Sequence, residues 1–241
     1  IHVSRIEFAI GHILRQTLGG TGHLIATAVV QRNGQMGAIV AFAGIEAVLL
    51  NTPFAEGMYK FVRGSGFSWL LILGGFMVGQ WIVANAAADL LNPQRQYAAL
   101  FGSAGLYAIL FAPVLHYFFR VADDGATSVA AAGLITAVAF AGLTIVAVVT
   151  RKDLSFLRPI VMYGFVAALA LIVGAIVFGL SLGVWFSVGM VALTGAAILY
   201  QTQAIIREFP VAAHVAGALA LFSSVMTLFW YILQLVGVAR D

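Results

Sequence analysis

The sequence predicts an all-α membrane protein with seven transmembrane helices. Of its 241 residues, 62% are hydrophobic and 9% are charged, whereas charged residues make up about 25% of a soluble domain. The mean hydropathy is +1.04. Apolar runs of nearly 20 residues, the length that a membrane-crossing helix needs, recur along the chain between short polar segments. These three observations favour a multi-pass helical bundle.

Seven apolar segments are long enough, or nearly so, to cross a bilayer. They are predicted at about 37–52, 67–88, 97–119, 127–150, 157–180, 182–203 and 211–237. The first is the shortest and has room to begin earlier, because "HLIATAVV" at 23–30 is also apolar. The sequence therefore predicts a seven-helix transmembrane domain over 36–241, preceded by a separate segment over 1–35.

Short polar stretches divide these segments. The breaks are "NTPFAEG" with "RGSG", "LNPQRQ", "RVADDGATS", "TRKDLSFLRP", the uncharged "GLSLG", and "REFP". All contain turn-forming or charged residues. Asp124 or Thr127 is expected to cap the fourth helix, and Pro210 suits the first turn of the last helix.

The segment 1–18, "IHVSRIEFAIGHILRQTL", has an amphipathic pattern. Four apolar side chains share one helical face: Ile6, Ile10, Ile13 and Leu14. A helix lying in the membrane interface and a helix docked on a partner subunit both fit this pattern. The following "GGTGH" lacks the lysine and the preceding strand of a phosphate-binding loop.

The basic residues predict an orientation. With the N-terminus in the cytoplasm, eight Lys and Arg residues lie inside: Arg5, Arg15, Arg32, Arg95, Arg151, Lys152, Arg158 and Arg207. Four lie outside: Lys60, Arg63, Arg120 and Arg240. This excess favours an inside N-terminus. Because the net charge of +3 is spread over short loops, it indicates membrane topology and argues against nucleic-acid binding.

Polar side chains recur along the last two predicted spans. Ser187, Thr194 and Gln201 repeat every seven residues, which keeps them close to one helical face. The last span has a similar stripe with Ser224 beside it: Ser223, Thr227, Tyr231 and Gln234. The short connection makes the two helices antiparallel neighbours, so the stripes are expected to face each other. They form either a hydrophilic path with a small ion site or ordinary hydrogen bonding between helices, worth about 0.6 kcal/mol per bond.

Glu46 is the one acidic residue well inside a predicted span. A charge there costs about 2.5–3.5 kcal/mol, so the side chain should face the bundle interior and carry no charge unless a cation lies nearby. Gln80 and Asn85 on the second span, or a basic group, are the candidate partners. A proton or ion role and a structural, hydrogen-bonded role both remain open.

The residue patterns of catalysis and metal binding are missing. There is no cysteine, no HExxH sequence and no nucleophile paired with a base, so neither an enzyme nor a metal or other cofactor is expected. His116 and His214 lie near span ends, where interfacial packing is the simpler interpretation. Gly75 and Gly79 have the spacing of a close helix contact.

Three stretches resemble the Bax inhibitor family. "AVVTRKDLSFLRP" at 147–159 resembles its fourth-to-fifth helix junction, and "AAILYQTQAII" at 196–206 is similar to its sixth-helix motif. "ALALFSSVMTLFWYILQLVG" at 218–237 resembles its last helix. The residues that match the first two motifs are Arg151, Lys152, Asp153, Tyr200, Thr202 and Gln203.

The resemblance implies six helices around a central seventh and a pH-sensitive calcium or cation leak. In the family two aspartates, on helices six and seven, share protons and hold the pore shut; we call this pair the acidic latch. Here Gln201 and Ser224 stand at those positions, with Thr227 nearby. Amide and hydroxyl groups still form hydrogen bonds but do not titrate, so the resemblance implies a neutralised latch.

Two functions are consistent with this pattern. The first is a weak calcium or proton leak, in which Glu46 supplies the membrane-buried titratable group. The second is a non-transporting accessory subunit or regulator bound to other membrane proteins. The lipid bilayer is the expected partner in both. Spans rich in Ala, Val and Gly without cysteine suggest the bacterial cytoplasmic membrane, with a mitochondrial inner membrane as the alternative.

Overall fold

The computed structural model describes residues 33–150, 152–207 and 213–239. The segment 1–18, the "GGTGH" loop, Arg151 and Pro210 lie outside the described residues. Eight helices are present in the described part of the chain, and no strand. They are α1 Asn33–Leu50, α2 Pro53–Gly64, α3 Gly66–Ala87, α4 Pro93–Arg120, α5 Gly125–Val149, α6 Leu157–Phe178, α7 Gly183–Arg207 and α8 His214–Val238.

Every helix except α2 is long and apolar enough to cross a membrane. These seven helices confirm the predicted all-α membrane fold, and each coincides with a predicted span to within a few residues. At the start of α4, Asn92 Oδ1 accepts a hydrogen bond from the Arg95 N–H, and Pro93 occupies the first turn. At the end of α6, Gly179 has a φ of 66°, which a glycine adopts without steric cost.

The prediction for the start of α5 was wrong in its detail. Asp124 precedes the helix, but its side chain forms no capping bond and its φ is 52°. A capping residue normally has an extended backbone, so the left-handed conformation of Asp124 is not the one that supports a capping bond. The hydroxyl of Ser128 instead donates to the Asp124 carbonyl, and Thr127 lies within the first turn.

The helix α2 was not predicted, because its sequence contains the turn-like "NTPFAEG". Local signals explain why it forms. Pro53 lies in the first turn, where its missing N–H has no cost. Glu56 and Lys60 form an (i, i+4) ion pair with 2.6 Å between Nζ and Oε1. Ala55 is buried while Phe61 is exposed, so α2 is amphipathic and packs against α3 and α4.

The last helix lies inside the bundle, as the resemblance implied. Helix α8 packs against α3, α4, α5 and α7. A Cβ added at Gly34 of α1 would lie 3.6 Å from the Cβ of Ala218, so α1 also approaches α8 closely. Helix α4 is enclosed as well, with Phe111 stacked on Phe229 and edge-on to Trp230. The core is therefore built around α4 and α8 together.

The predicted glycine contact is half present. A Cβ at Gly79 would lie 2.9 Å from the end of the Leu106 side chain, so a larger residue would push that side chain aside where α3 meets α4. A Cβ at Gly75 would meet nothing within 4 Å. The pair therefore does not act as one contact site, because Gly75 lies on a face of α3 without a neighbouring helix.

The helices define two ends of the bundle. We call motif side the end with residues 88–92, 152–156 and the start of α8. We call far side the end with α2, residues 121–124, residues 179–182 and the end of α8.

Candidate functional site: the contact between α7 and α8

The two polar stripes of α7 and α8 meet near the motif side. The hydroxyl of Ser224 donates a hydrogen bond of 2.8 Å to Oε1 of Gln201. Ser224 is buried and Gln201 is half-buried. The structure therefore brings Gln201 and Ser224, the two residues that the resemblance predicts at the latch positions, into direct contact.

A second bond of the same kind lies near the far side. The hydroxyl of Ser187 donates to Oε1 of Gln234 at 3.0 Å. We call these two serine–glutamine bonds and the residues between them the polar seam. Because α7 and α8 are antiparallel, the serine lies on α8 at one end of the seam and on α7 at the other.

Between these bonds, the seam is less completely paired. Thr227 Oγ1 donates to the Ser223 carbonyl of its own helix at 2.9 Å and does not reach Gln201. Thr194 is fully buried, and its hydroxyl has no hydrogen-bond partner among the described residues. The Ser223 carbonyl also accepts from Tyr107 Oη of α4 at 3.2 Å. The middle of the seam therefore depends on packing more than on bonds between the helices.

Gln203 joins two of the sequence motifs. Its Nε2 donates to the Lys152 carbonyl at 2.8 Å, and its Oε1 accepts from the Leu154 N–H at 2.6 Å. One buried amide therefore holds the connection between α5 and α6 against the end of α7. We call this pair of bonds the amide clasp.

Other motif residues surround the amide clasp. The hydroxyl and the N–H of Ser155 donate to Asp153 Oδ1, closing a local turn. These bonds, the hydroxyl bond first, lower the pKa of Asp153 from its ordinary value. Tyr200 is half-buried, and Thr202 is buried with a hydroxyl that has no partner in the described part of the chain. The motif residues therefore build a tightly fixed end of the bundle.

Glu46 is buried, as expected, but its predicted partners are wrong. Neither carboxylate oxygen has a hydrogen-bond partner among the described residues. Gln80 instead pairs with Ser103 of α4, with 3.1 Å between the hydroxyl and each amide atom. Asn85 donates to the Trp81 carbonyl of its own helix. Both amides are therefore satisfied elsewhere, and Glu46 forms no hydrogen bond to the polar seam.

The two histidines lie at opposite ends of the bundle. His116 packs against Tyr59 of α2 with 5.4 Å between ring centroids. His214 begins α8 and lies 3.4 Å from the Tyr97 hydroxyl. Both make ring contacts, in agreement with a packing role. Within the described ranges, no group of three or more His, Asp or Glu side chains comes together.

A cavity of about 930 Å³ opens beside the far-side half of the polar seam. Its wall includes residues of α2, α3, α4, α6, α7 and α8. Five side chains with a hydroxyl or amide group contribute to it: Tyr117, Ser187, Thr227, Tyr231 and Gln234. Most of the remaining wall is aliphatic or aromatic, with Trp69 and Phe111 among the large side chains.

Sequence reasoning missed this cavity and the amide clasp. The clasp had a signal, because both of its segments were recognised as motifs, but nothing in their spacing shows that they touch. The cavity had no signal in the sequence. It depends on how the six helices of its wall tilt, and helix tilt is set by packing between distant segments.

Seven helices able to span a membrane define an integral membrane protein. Its last two helices are joined by bonds between uncharged side chains. The chain belongs to the family described as inhibitor of apoptosis-promoting Bax1, the Bax inhibitor family, whose model matches residues 20–241. The family assignment made from the motifs is therefore confirmed.

Similar proteins occur in two bacteria. The chain is 31% identical over 207 residues to the uncharacterized protein PA2604 of Pseudomonas aeruginosa, covering 86% of each chain. It is 30% identical over 129 residues to the uncharacterized proteins NMA0420 and NMB2020 of Neisseria meningitidis serogroups A and B. Those matches cover 53% of this chain and 56% of each relative.

Proposed function

We propose that the protein is a non-enzymatic, weak cation leak whose pathway follows the polar seam and whose gate is an uncharged hydrogen bond. The observation that carries this proposal is the 2.8 Å bond from Ser224 to Gln201. It closes α7 against α8 at the two positions where the family resemblance places the acidic latch.

The cavity supports a pathway at this position. Thr227 lies in its wall, one helical turn beyond Ser224 along α8. An ion entering from the far side passes the hydroxyl and amide oxygens of Ser187, Thr227 and Gln234 before it reaches the gate. Oxygen ligands of this kind replace part of the hydration shell of a hard cation such as calcium.

The opening of this gate is not controlled by pH, whereas the opening of a carboxylate pair is. Two nearby carboxylates repel each other when both are charged, which couples opening to pH. An amide and a hydroxyl do not titrate in the physiological range. Opening of this gate therefore depends on separating α7 from α8, and we expect the leak to be small and insensitive to pH.

The membrane assignment is part of the proposal. The bacterial relatives support the cytoplasmic membrane, and the excess of basic residues on the motif side supports a cytoplasmic N-terminus. In this orientation the cavity opens away from the cytoplasm, and the amide clasp lies on the cytoplasmic side.

Flux measurements on a matched pair of variants test the gate. The protein is reconstituted into liposomes that contain a calcium indicator. Ser224→Ala removes the gate bond, worth about 1 kcal/mol, and should raise flux about fivefold by increasing the open population. Ser103→Ala removes the same kind of serine–glutamine bond between α4 and α3, outside the polar seam, and its flux should equal that of the unmodified protein.

The result decides between the two functions. Equal flux from Ser224→Ala, the unmodified protein and empty liposomes would remove the leak and favour the accessory role. In that case, extraction in a mild detergent should recover the protein together with defined membrane partners.

A further inference from the structure

We propose that the far-side cavity binds an acyl chain of a phospholipid, with the lipid ester group at Gln234. This binding site goes beyond the proposed leak and does not depend on it. A bound chain occupies the far-side entrance of the polar seam, so an ion passes only when the chain has left. The inference rests on the depth, the volume, the rim and the polar groups of the cavity.

The depth of the cavity matches one leaflet of a bilayer. Thr227 and Val238 both line it and lie eleven residues apart on α8, which corresponds to about 16 Å along the helix. Half of a hydrocarbon core is about 15 Å. Phe111 at the inner end is fully buried, so the cavity ends near the middle of the membrane.

The rim of the cavity is apolar and faces the bilayer. Leu180, Val184 and Val238 contribute to the wall, and each is exposed. A hydrocarbon chain can therefore enter between these side chains from the bilayer. The volume of about 930 Å³ lies in the range of about 300–1,000 Å³ that is usual for small-molecule sites.

The cavity suits a flexible hydrocarbon chain. Its wall is mostly aliphatic or aromatic and extends about 16 Å along α8, which matches the length of a chain in one leaflet, about 15 Å.

Two hydrogen-bond donors are positioned for the polar end of the lipid. Oε1 of Gln234 accepts from Ser187, but its Nε2 has no partner among the described residues. Tyr231 also lies in the cavity wall, and its hydroxyl has no hydrogen-bond partner among the described residues. Gln234 lies one turn before the end of α8, about 6 Å below Val238, so the ester carbonyls of a lipid bound here lie slightly deeper than those of the surrounding bilayer. Those carbonyls accept hydrogen bonds and donate none.

Tryptophan fluorescence provides a direct test. Trp69 and Trp230 line the cavity and stack with 5.5 Å between ring centroids. Trp81 and Trp185 are exposed on the bundle surface. In a Trp81→Phe, Trp185→Phe background, vesicles of phosphatidylcholine with brominated acyl chains should quench the remaining fluorescence relative to vesicles of the unbrominated lipid.

Substitutions that fill the cavity separate a bound chain from the surrounding lipid. Ala175→Phe places a ring in the cavity and should remove most of the quenching, while Ala170→Phe on the exposed face of α6 should leave it unchanged. Ile176→Phe, a smaller change in the same wall, provides the test if Ala175→Phe does not fold.

Two outcomes would overturn the proposal. One is the absence of quenching in the background protein. The other is equal quenching in the cavity variants and in Ala170→Phe, which would assign the effect to lipid around the bundle. Because the measurement uses no ion gradient, its failure leaves the proposed leak untouched, and a failed flux assay leaves the lipid site untouched.

Discussion

The two ends of the α7–α8 contact carry the same type of hydrogen bond in different surroundings. At the motif side, four consecutive residues of α7 are buried, from Thr202 to Ile205. A helix with four buried residues in succession is enclosed on all faces. At the far side, the first residues of α7 from Gly183 to Trp185 are exposed, and the cavity begins beside Ser187.

Hydrogen bonding between α7 and α8 and closure of the bundle end are separate properties. A serine–glutamine pair does not by itself decide whether the bundle is closed, since both ends have one. The neighbouring segments decide it. The amide clasp fixes the connection between α5 and α6 at the motif side, whereas a cavity remains between the helices at the far side. The closed end is therefore the place for a gate and the open end the place for a ligand.

Removing the amide clasp should have the largest effect on stability. Gln203→Ala deprives the Leu154 N–H and the Lys152 carbonyl of their partners. We expect a loss of about 2 kcal/mol, because both backbone groups lose a bond at a packed end of the bundle. Thermal unfolding in detergent measures it.

Asn85→Ala is the matched control for this substitution. Its amide bonds only to a carbonyl of its own helix, at an exposed position. Its loss should leave the unfolding temperature nearly unchanged. Equal unfolding temperatures for the two variants would mean that the clasp does not stabilise the motif side.

The two serine–glutamine bonds should differ moderately in strength. Ser224→Ala should cost about 1 kcal/mol, because Gln201 loses its partner inside the packed end. Ser187→Ala should cost about half of that, since Gln234 is exposed and can find other partners. Unfolding temperatures of the two variants, compared in the same detergent, measure the difference. A larger loss from Ser187→Ala would reverse the comparison.

The smallest expected effect is a pH dependence of the stability of the fold, caused by Asp153 at the motif side. The bonds from Ser155 lower the pKa of Asp153 below its ordinary value of 3.8. The ionised carboxylate therefore stabilises the fold at pH values above 3.8. This contribution is lost as the pH falls through the lowered pKa of Asp153. The effect is small because Asp153 is exposed.

Comparing unfolding temperatures between about pH 5 and pH 3 isolates this contribution. The unmodified protein should lose slightly more stability on acidification than Asp153→Asn, which cannot titrate at this position. Identical slopes would show that the turn does not depend on the charge of Asp153.

Much of the fold could be predicted because each span consists of one apolar run. The facing stripes of α7 and α8 were also predictable, since seven-residue spacing and a short connection are local features. The helix α2 was missed because its turn-like start resembles a loop. The partners of Glu46 were predicted wrongly because register between helices that are not consecutive has no local signal. Only the packed structure shows that Gln80 faces Ser103.

The functional positions were predictable only where a local sequence motif marks them. Gln201 and Ser224 were identified by the family motifs, and the structure places them in direct contact. Their role as a gate remains a prediction. The partner of Ser187 was not predicted, and neither was the amide clasp, because both join segments about 50 residues apart.

The pH dependence of cation flux in liposomes tests the central claim most directly. The unmodified protein should give the same small flux between about pH 5 and pH 8, because neither gate residue titrates. A variant with both Gln201→Asp and Ser224→Asp should give a flux that rises with pH, because removing a shared proton leaves two adjacent negative charges. A pH-dependent flux in the unmodified protein that Glu46→Gln abolishes would contradict the account, since the control would then lie with an acid outside the polar seam.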